Sequence, residues 1–122
     1  MLYEDLMSLF QAAPIEEGKN GWRYVIQEDD GKNSIVNHVS TEHMSVELFF
    51  NEYDELRIIL YKESQPITTI QRIAILKTEL EDEGDGIQFV LDRMPSRMIR
   101  LQLKPFLAVE MGLYWEVCEE CE

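Results

Sequence analysis

Two histidines and two cysteines are the residues of this chain whose spacing fits a metal: His38-x4-His43 and Cys118-x2-Cys121. Zinc takes nitrogen and sulfur donors in a tetrahedron, so a composite site of His38, His43, Cys118 and Cys121 is the metal chemistry these types could perform. Each half is a common pattern alone, and the two pairs lie far apart in the chain. Cys118 and Cys121 also serve as small apolar residues of a terminal helix, which is the stronger reading, and no cofactor is expected. Redox chemistry at Cys118-Glu119-Glu120-Cys121 is opposed by the flanking carboxylates, which raise a thiol pKa. A bridge there would close too small a loop to staple the fold, so reduced thiols are expected.

Carboxylates gather in two places, Glu28-Asp29-Asp30 and Glu79-Leu80-Glu81-Asp82-Glu83-Gly84-Asp85-Gly86. Neither supplies the alternating ligands and closing glutamate of a calcium loop, so both read as solvated turns. Acid-base catalysis needs a concave apolar setting that drives two carboxyl pKa values apart, and turns seldom provide one. The chain has no GxxxxGK, GxGxxG or HExxH, and no serine in a nucleophile-elbow setting. It is read as not an enzyme.

Charge narrows the partners. Twenty-four acids against eleven bases leave a formal charge of -13, which repels nucleic-acid phosphates and anionic membranes and attracts basic proteins. Direct nucleic-acid binding and a membrane role are therefore not expected. The start, MLYEDLMSLF, carries acids where a signal peptide needs bases, and no run approaches the apolar length of a membrane span. A cytoplasmic location is expected. Arg93, Arg97, Arg100 and Lys104 form a stretch without acids, suited to internal or dimer salt bridges with the acidic surface.

The elements that must position these groups follow from periodicity. With 122 residues and 45% hydrophobic content the chain is read as a single domain, residues 1–122, with one core. Leu2, Leu6, Leu9 and Phe10 at helical spacing, with Pro14 as a stop, predict a helix over about 2–12. Trp22, Tyr24 and Ile26 alternate with Arg23, Val25 and Gln27 as in a strand, and Asp29–Asn33 offers turn chemistry before a return over Ile35–Val39. Alternation predicts further strands at Met44–Phe50 and Leu56–Tyr61, then at Ile87–Leu91 and Met98–Leu103. Residues 66–82 suit either a helix, through Ile67, Ile70, Ile73, Ala74 and Leu80, or a strand, and helix is preferred. From Pro105 on, Leu107, Met111, Tyr114, Cys118 and Cys121 step by four and three, which predicts a C-terminal helix. The fold class expected is α+β: an antiparallel sheet of about six strands with an N-terminal and a C-terminal helix packed on it.

That order of helix, strands, helix, two strands, helix on a small acidic chain resembles the type III secretion chaperone-like fold. The resemblance is architectural, spans most of the chain and carries no signature residue. It implies a cytosolic, dimeric, non-enzymatic module that holds an extended apolar segment of a partner at a sheet edge or a helix-sheet groove. A second reading comes from charge: a small acidic inhibitor, a nucleic-acid mimic of the phage-antagonist type, that blocks a basic nucleic-acid-binding protein. Its surface would be Glu28, Asp29, Asp30, Glu79, Glu81, Asp82, Glu83 and Asp85, provided that folding brings the two turns together.

Overall fold

The computed structural model describes residues 2–29, 32–81 and 84–114. It contains one helix, α1 (Leu2–Phe10), and nine strands: β1 (Ile15–Glu16), β2 (Gly21–Asp29), β3 (Lys32–Val36), β4 (Met44–Asn51), β5 (Glu55–Lys62), β6 (Gln65–Leu80), β7 (Gly86–Leu91), β8 (Arg97–Gln102) and β9 (Ala108–Leu113). All pairings are antiparallel, in the order β1-β2-β4-β5-β6-β7-β8-β9, with β3 also on β2. The expected six-strand sheet with two helices is therefore corrected to a mostly β fold with, among the described residues, a single short helix.

Two segments account for the difference. Residues 66–82, expected as helix, lie almost wholly in the sixteen-residue strand β6. Its register slips against β5, so that Ile70 faces Ile58 and Ile73 faces Leu56: three steps on one strand match two on the other. Such a bulge sets residues three apart on the same face and copies the spacing of a helix. Residues 108–113, expected as the start of a C-terminal helix, are β9, and Met111 there is 54% exposed, so the four-three stepping marks no buried stripe. The rest of that expected helix, with Cys118 and Cys121, lies outside the described residues. The helix–strands–helix order behind the chaperone-like resemblance is not the order observed.

β6 also organises the whole. Its first half pairs with β5 and its second half, from Ile75, with β7, so the strand belongs to two layers, β1 to β6 and β6 to β9. The inward residues of both layers form one core. Tyr24, Ile26, Val46, Leu48, Leu56 and Ile58 from the first meet Ile87, Phe89, Leu91, Ile99 and Leu101 from the second. Each fully buried side chain of this size contributes about 1.5–3 kcal/mol by leaving water.

The helix completes that core with Leu2 and Leu6, both fully buried. Glu4 and Asp5 stand in its first turn, where carboxylates complement the helix dipole. Asp54 Oδ1 accepts from Leu2 N at 3.0 Å, and Thr78 Oγ1 donates to Asp5 Oδ2 at 2.7 Å, fastening the helix to the β4–β5 turn and to β6. Beyond its end, Gln11 takes a left-handed φ of 52° and donates its N–H to Met7 O at 2.8 Å. Phe10 packs on Tyr24, whose hydroxyl donates to Ala12 O at 2.6 Å. Among the described residues no helix is long and apolar enough to cross a membrane.

Candidate functional site

The β2–β3 hairpin and the β6–β7 turn are both bonded to the connection that follows β8. Glu28 stands opposite Asn33 across the β2–β3 hairpin, and Asn33 Nδ2 donates to Leu103 O at 2.7 Å. Leu103 N and Lys104 N in turn donate to Asp85 O, in the β6–β7 turn, at 2.8 and 3.1 Å. Asp30, Asp82 and Glu83 lie outside the described residues.

The carboxylates of the two segments have unlike surroundings. Glu28 is half-buried and Asp29 exposed, the latter 3.9 Å from His43 Nε2. Glu79, Gln88, Arg100 and Glu110 instead form one row across β6 to β9, on the face turned away from the core because Ile87, Phe89, Ile99 and Leu101 take the other side. Arg100 Nε and Nη2 grip the Glu81 carboxylate at 2.5 and 2.6 Å, and Nη1 reaches Glu110 at 3.2 Å. The Arg100 hydrogen bonds, helped by Gln88, hold the Glu81 carboxyl below its ordinary range, while Glu81 and Glu110 raise the Arg100 pKa further. Glu79 accepts from the Tyr114 hydroxyl and lies 3.4 Å from Lys77 Nζ. With Asp85, Arg100 and Lys104, Glu79 and Glu81 line a recess of about 550 Å³ in which bases offset the acids. Gly86 fits the grip: a Cβ there would lie 2.9 Å from Glu81 Oε1 and 3.0 Å from Leu101 O.

The two histidines share another recess. His38 and His43 belong to the β3–β4 connection and line a hollow of about 650 Å³ with Gln27, Ile35 and Val39. Ser40 Oγ shapes that connection by accepting from Glu42 N and His43 N at 3.1 and 2.9 Å. Among the described residues no three His, Cys, Asp or Glu side chains are grouped to hold a metal ion.

A third constellation was missed by the sequence reading. On the outer face of the first layer Glu47, 7% exposed, accepts from Arg23 Nη1 at 3.0 Å and from the Tyr61 hydroxyl at 2.5 Å. Arg23 also approaches Glu17 at 3.5 Å and donates to Asn37 O at 3.4 Å, tying the β1–β2 turn and the β3–β4 connection to the sheet. The register explains the meeting. Val25 faces Glu47 and Glu47 faces Ile59, so Arg23 and Tyr61, two residues along on either side, are its diagonal neighbours. Burial, then the bond to Glu47, pushes the Tyr61 hydroxyl up to about 12. The Tyr61 phenol, protonated throughout the neutral range, stands as a donor to Glu47, and the cluster fixes shape. Alternation in WRYVIQ and SVELFF sets Arg23 and Glu47 on the faces opposite Tyr24 and Leu48, but only the register reveals that they meet.

The Arg23 side of this face runs into a further recess, of about 400 Å³, lined by Trp22, Phe49, Tyr53, Glu55, Arg57 and Arg72 among others. Arg57 lies over the Phe49 ring at 5.4 Å, and Arg72 approaches Glu55 at 3.8 Å.

Residues 8–120 match the model of a protein family described as "Protein of unknown function (DUF3979)". No curated protein matches the chain. Among solved structures, a chain of the contact-dependent growth inhibition toxin–immunity protein complex from Klebsiella pneumoniae 342 is similar in fold. Its TM-score is 0.59 at 15% identity, over 90% of this chain and 91% of that one.

Proposed function

We propose a function on the premise that this chain belongs to the DUF3979 family of proteins of unknown function: it binds a partner protein and inhibits it, in the manner of an immunity protein, and catalyses no reaction. The observation that carries this reading is the likeness in fold, over nine-tenths of both chains, to a chain of a toxin–immunity complex. Two features of the chain agree with it. Its charge of -13 draws a basic partner by long-range attraction. The nearly buried, outward-facing carboxylate of Glu47 is held by Arg23 and Tyr61 and supports a rigid sheet.

The docking end in this proposal is the one where the β2–β3 hairpin and the β6–β7 turn are both tied to Leu103, with Glu28, Asp29 and Asp85 as the attracting carboxylates. Glu81, gripped by Arg100, holds the turn in place instead of reaching a partner. A mimic of nucleic-acid phosphates is the narrower form of the same reading.

The test is affinity capture from the native lysate on the immobilised protein, with a salt gradient for elution, followed by expression of the captured protein alone and together with this chain. The expected result is a basic protein that elutes as salt rises, arrests growth when expressed alone and is tolerated when this chain is co-expressed. A captured protein that is harmless alone, or equally toxic with and without this chain, would overturn the proposal.

A further inference from the structure

We propose that the protein forms a two-fold dimer through the open edge of β6, with Gln65–Ile73 pairing antiparallel to the same stretch of a second copy and joining two first layers into one continuous sheet. Along this stretch β5 occupies one side of the strand; the chain at the end of β7 engages β6 only from Ala74, whose carbonyl accepts from Asp92 N at 3.1 Å, and the β7 ladder starts at Ile75. Among the described residues no strand pairs along its other side.

The composition of that edge is unusual for one left in water. Edge strands are commonly guarded by lysines, inward-pointing charges or prolines that discourage pairing with another chain. Here Pro66 guards only the first residues, and Ile67-Thr68-Thr69-Ile70-Gln71 is uncharged and mostly β-branched, which favours pairing. Ile67 is 53% exposed on the outer face, while Ile70 on the inner face packs against the core, so the strand is held in shape for a partner to add to it.

Charge selects the occupant. The chain carries 24 acids, yet none from Ser64 to Thr78, where the charged residues are Arg72 and Lys77. A basic protein is drawn to the acidic surfaces and gains nothing from this edge. Two copies at -13 each repel almost everywhere else, and here they can meet with no carboxylate on either strand. Opposite residues of an antiparallel pair share a face, so a pairing centred on Thr69 sets Ile67 against Gln71 and Thr68 against Ile70 of the second copy. It also brings the exposed Arg72 towards the β5–β6 turn of the second copy, which holds Glu63. The identical surface used twice closes the assembly at two chains.

Analytical ultracentrifugation of the intact protein over a wide concentration range tests this. Wild type is expected to reach twice its 14.4 kDa, and higher salt should tighten the dimer by screening repulsion, the opposite of its effect on capture of a basic partner. Thr69→Lys and Ile67→Lys replace exposed side chains and leave the fold intact by circular dichroism. Thr69→Lys should weaken self-association by about tenfold or more, because like charges then face each other at the two-fold axis, and Ile67→Lys should weaken it less, through the lost contact of an apolar side chain with Gln71 of the second copy. A mass of 14.4 kDa at every concentration overturns the proposal, as does a dimer that both lysine variants leave unchanged or that rising salt dissociates.

Discussion

The Tyr61 hydroxyl and the Glu47 carboxylate meet at 2.5 Å across β5 and β4, on the side of the sheet that faces away from the core. Arg23 Nη1 takes the second carboxylate oxygen at 3.0 Å, so a nearly buried charge is satisfied without help from the interior. Removing one partner leaves the carboxylate short of a donor in a poorly solvated place. Tyr61→Phe is therefore expected to cost about 1–2 kcal/mol, and Arg23→Met about 2–3 kcal/mol because a charged hydrogen bond is lost. Urea unfolding at neutral pH, with an unchanged denaturant slope, checks both.

At high pH the same hydroxyl becomes a liability. Tyr61 and Tyr24 are both pushed up to about 12, mainly by burial, whereas an unfolded tyrosine ionises near 10. The fold thus favours the protonated phenols. Their contribution is complete below pH 10 and is lost as pH rises towards 12, at about 1.4 kcal/mol per pH unit for each tyrosine that titrates. Unfolding free energies measured across that window should fall at twice the slope of a one-tyrosine case, and Tyr61→Phe should remove half of it.

On the acid side the sign reverses. Arg100 holds the Glu81 carboxyl below the usual carboxylate value, so its stabilisation is present above the unfolded value of about 4.5 and disappears as pH falls through the folded one. Arg100→Gln should flatten this part of the stability curve. Gly86→Ala attacks the same grip by geometry, since its Cβ would press on Glu81 Oε1 and Leu101 O. A loss of about 1–3 kcal/mol is expected from that overpacking, read as a lower melting temperature.

If the acidic end steers a basic partner, the effect belongs to the encounter step. Neutralising Glu28, Asp29 and Asp85 together, by Glu28→Gln, Asp29→Asn and Asp85→Asn, should slow association by about tenfold at low salt and change dissociation much less. At high salt the triple variant and the wild type should associate at similar rates. Stopped-flow or surface plasmon resonance against the captured partner separates the two rates.

The sequence carried local order well and long-range order poorly. The helix over Leu2–Phe10 and the strands β2, β4, β5, β7 and β8 lie where alternation and helical spacing place them, because each shows its core to one side along its own length. β6 misleads for a physical reason: a bulge sets Ile70 and Ile73 on one face, and the strand then changes layers, so no single periodicity runs through it. Pro105 reads as a helix start or as a turn with equal ease, and here it belongs to the connection from β8 to β9. The acidic segments were visible as turns, but that both are tied to Leu103 depends on long-range contacts, of which the Asn33–Leu103 bond spans 70 positions. The meeting of Arg23, Glu47 and Tyr61 is a matter of register, which single-strand patterns do not encode.

Nearly every strand here pairs with its neighbour in the chain, and two latches join early residues to late ones: Thr78 to Asp5, 73 positions apart, and Asn33 to Leu103, 70 apart. Such a chain can zip up hairpin by hairpin, because each step closes a short loop before any long one. Contacts that form after the rate-limiting barrier slow opening and leave folding speed unchanged, so weakening either latch, by Thr78→Val or Asn33→Ala, is expected to raise the unfolding rate more than it lowers the folding rate in stopped-flow denaturant jumps.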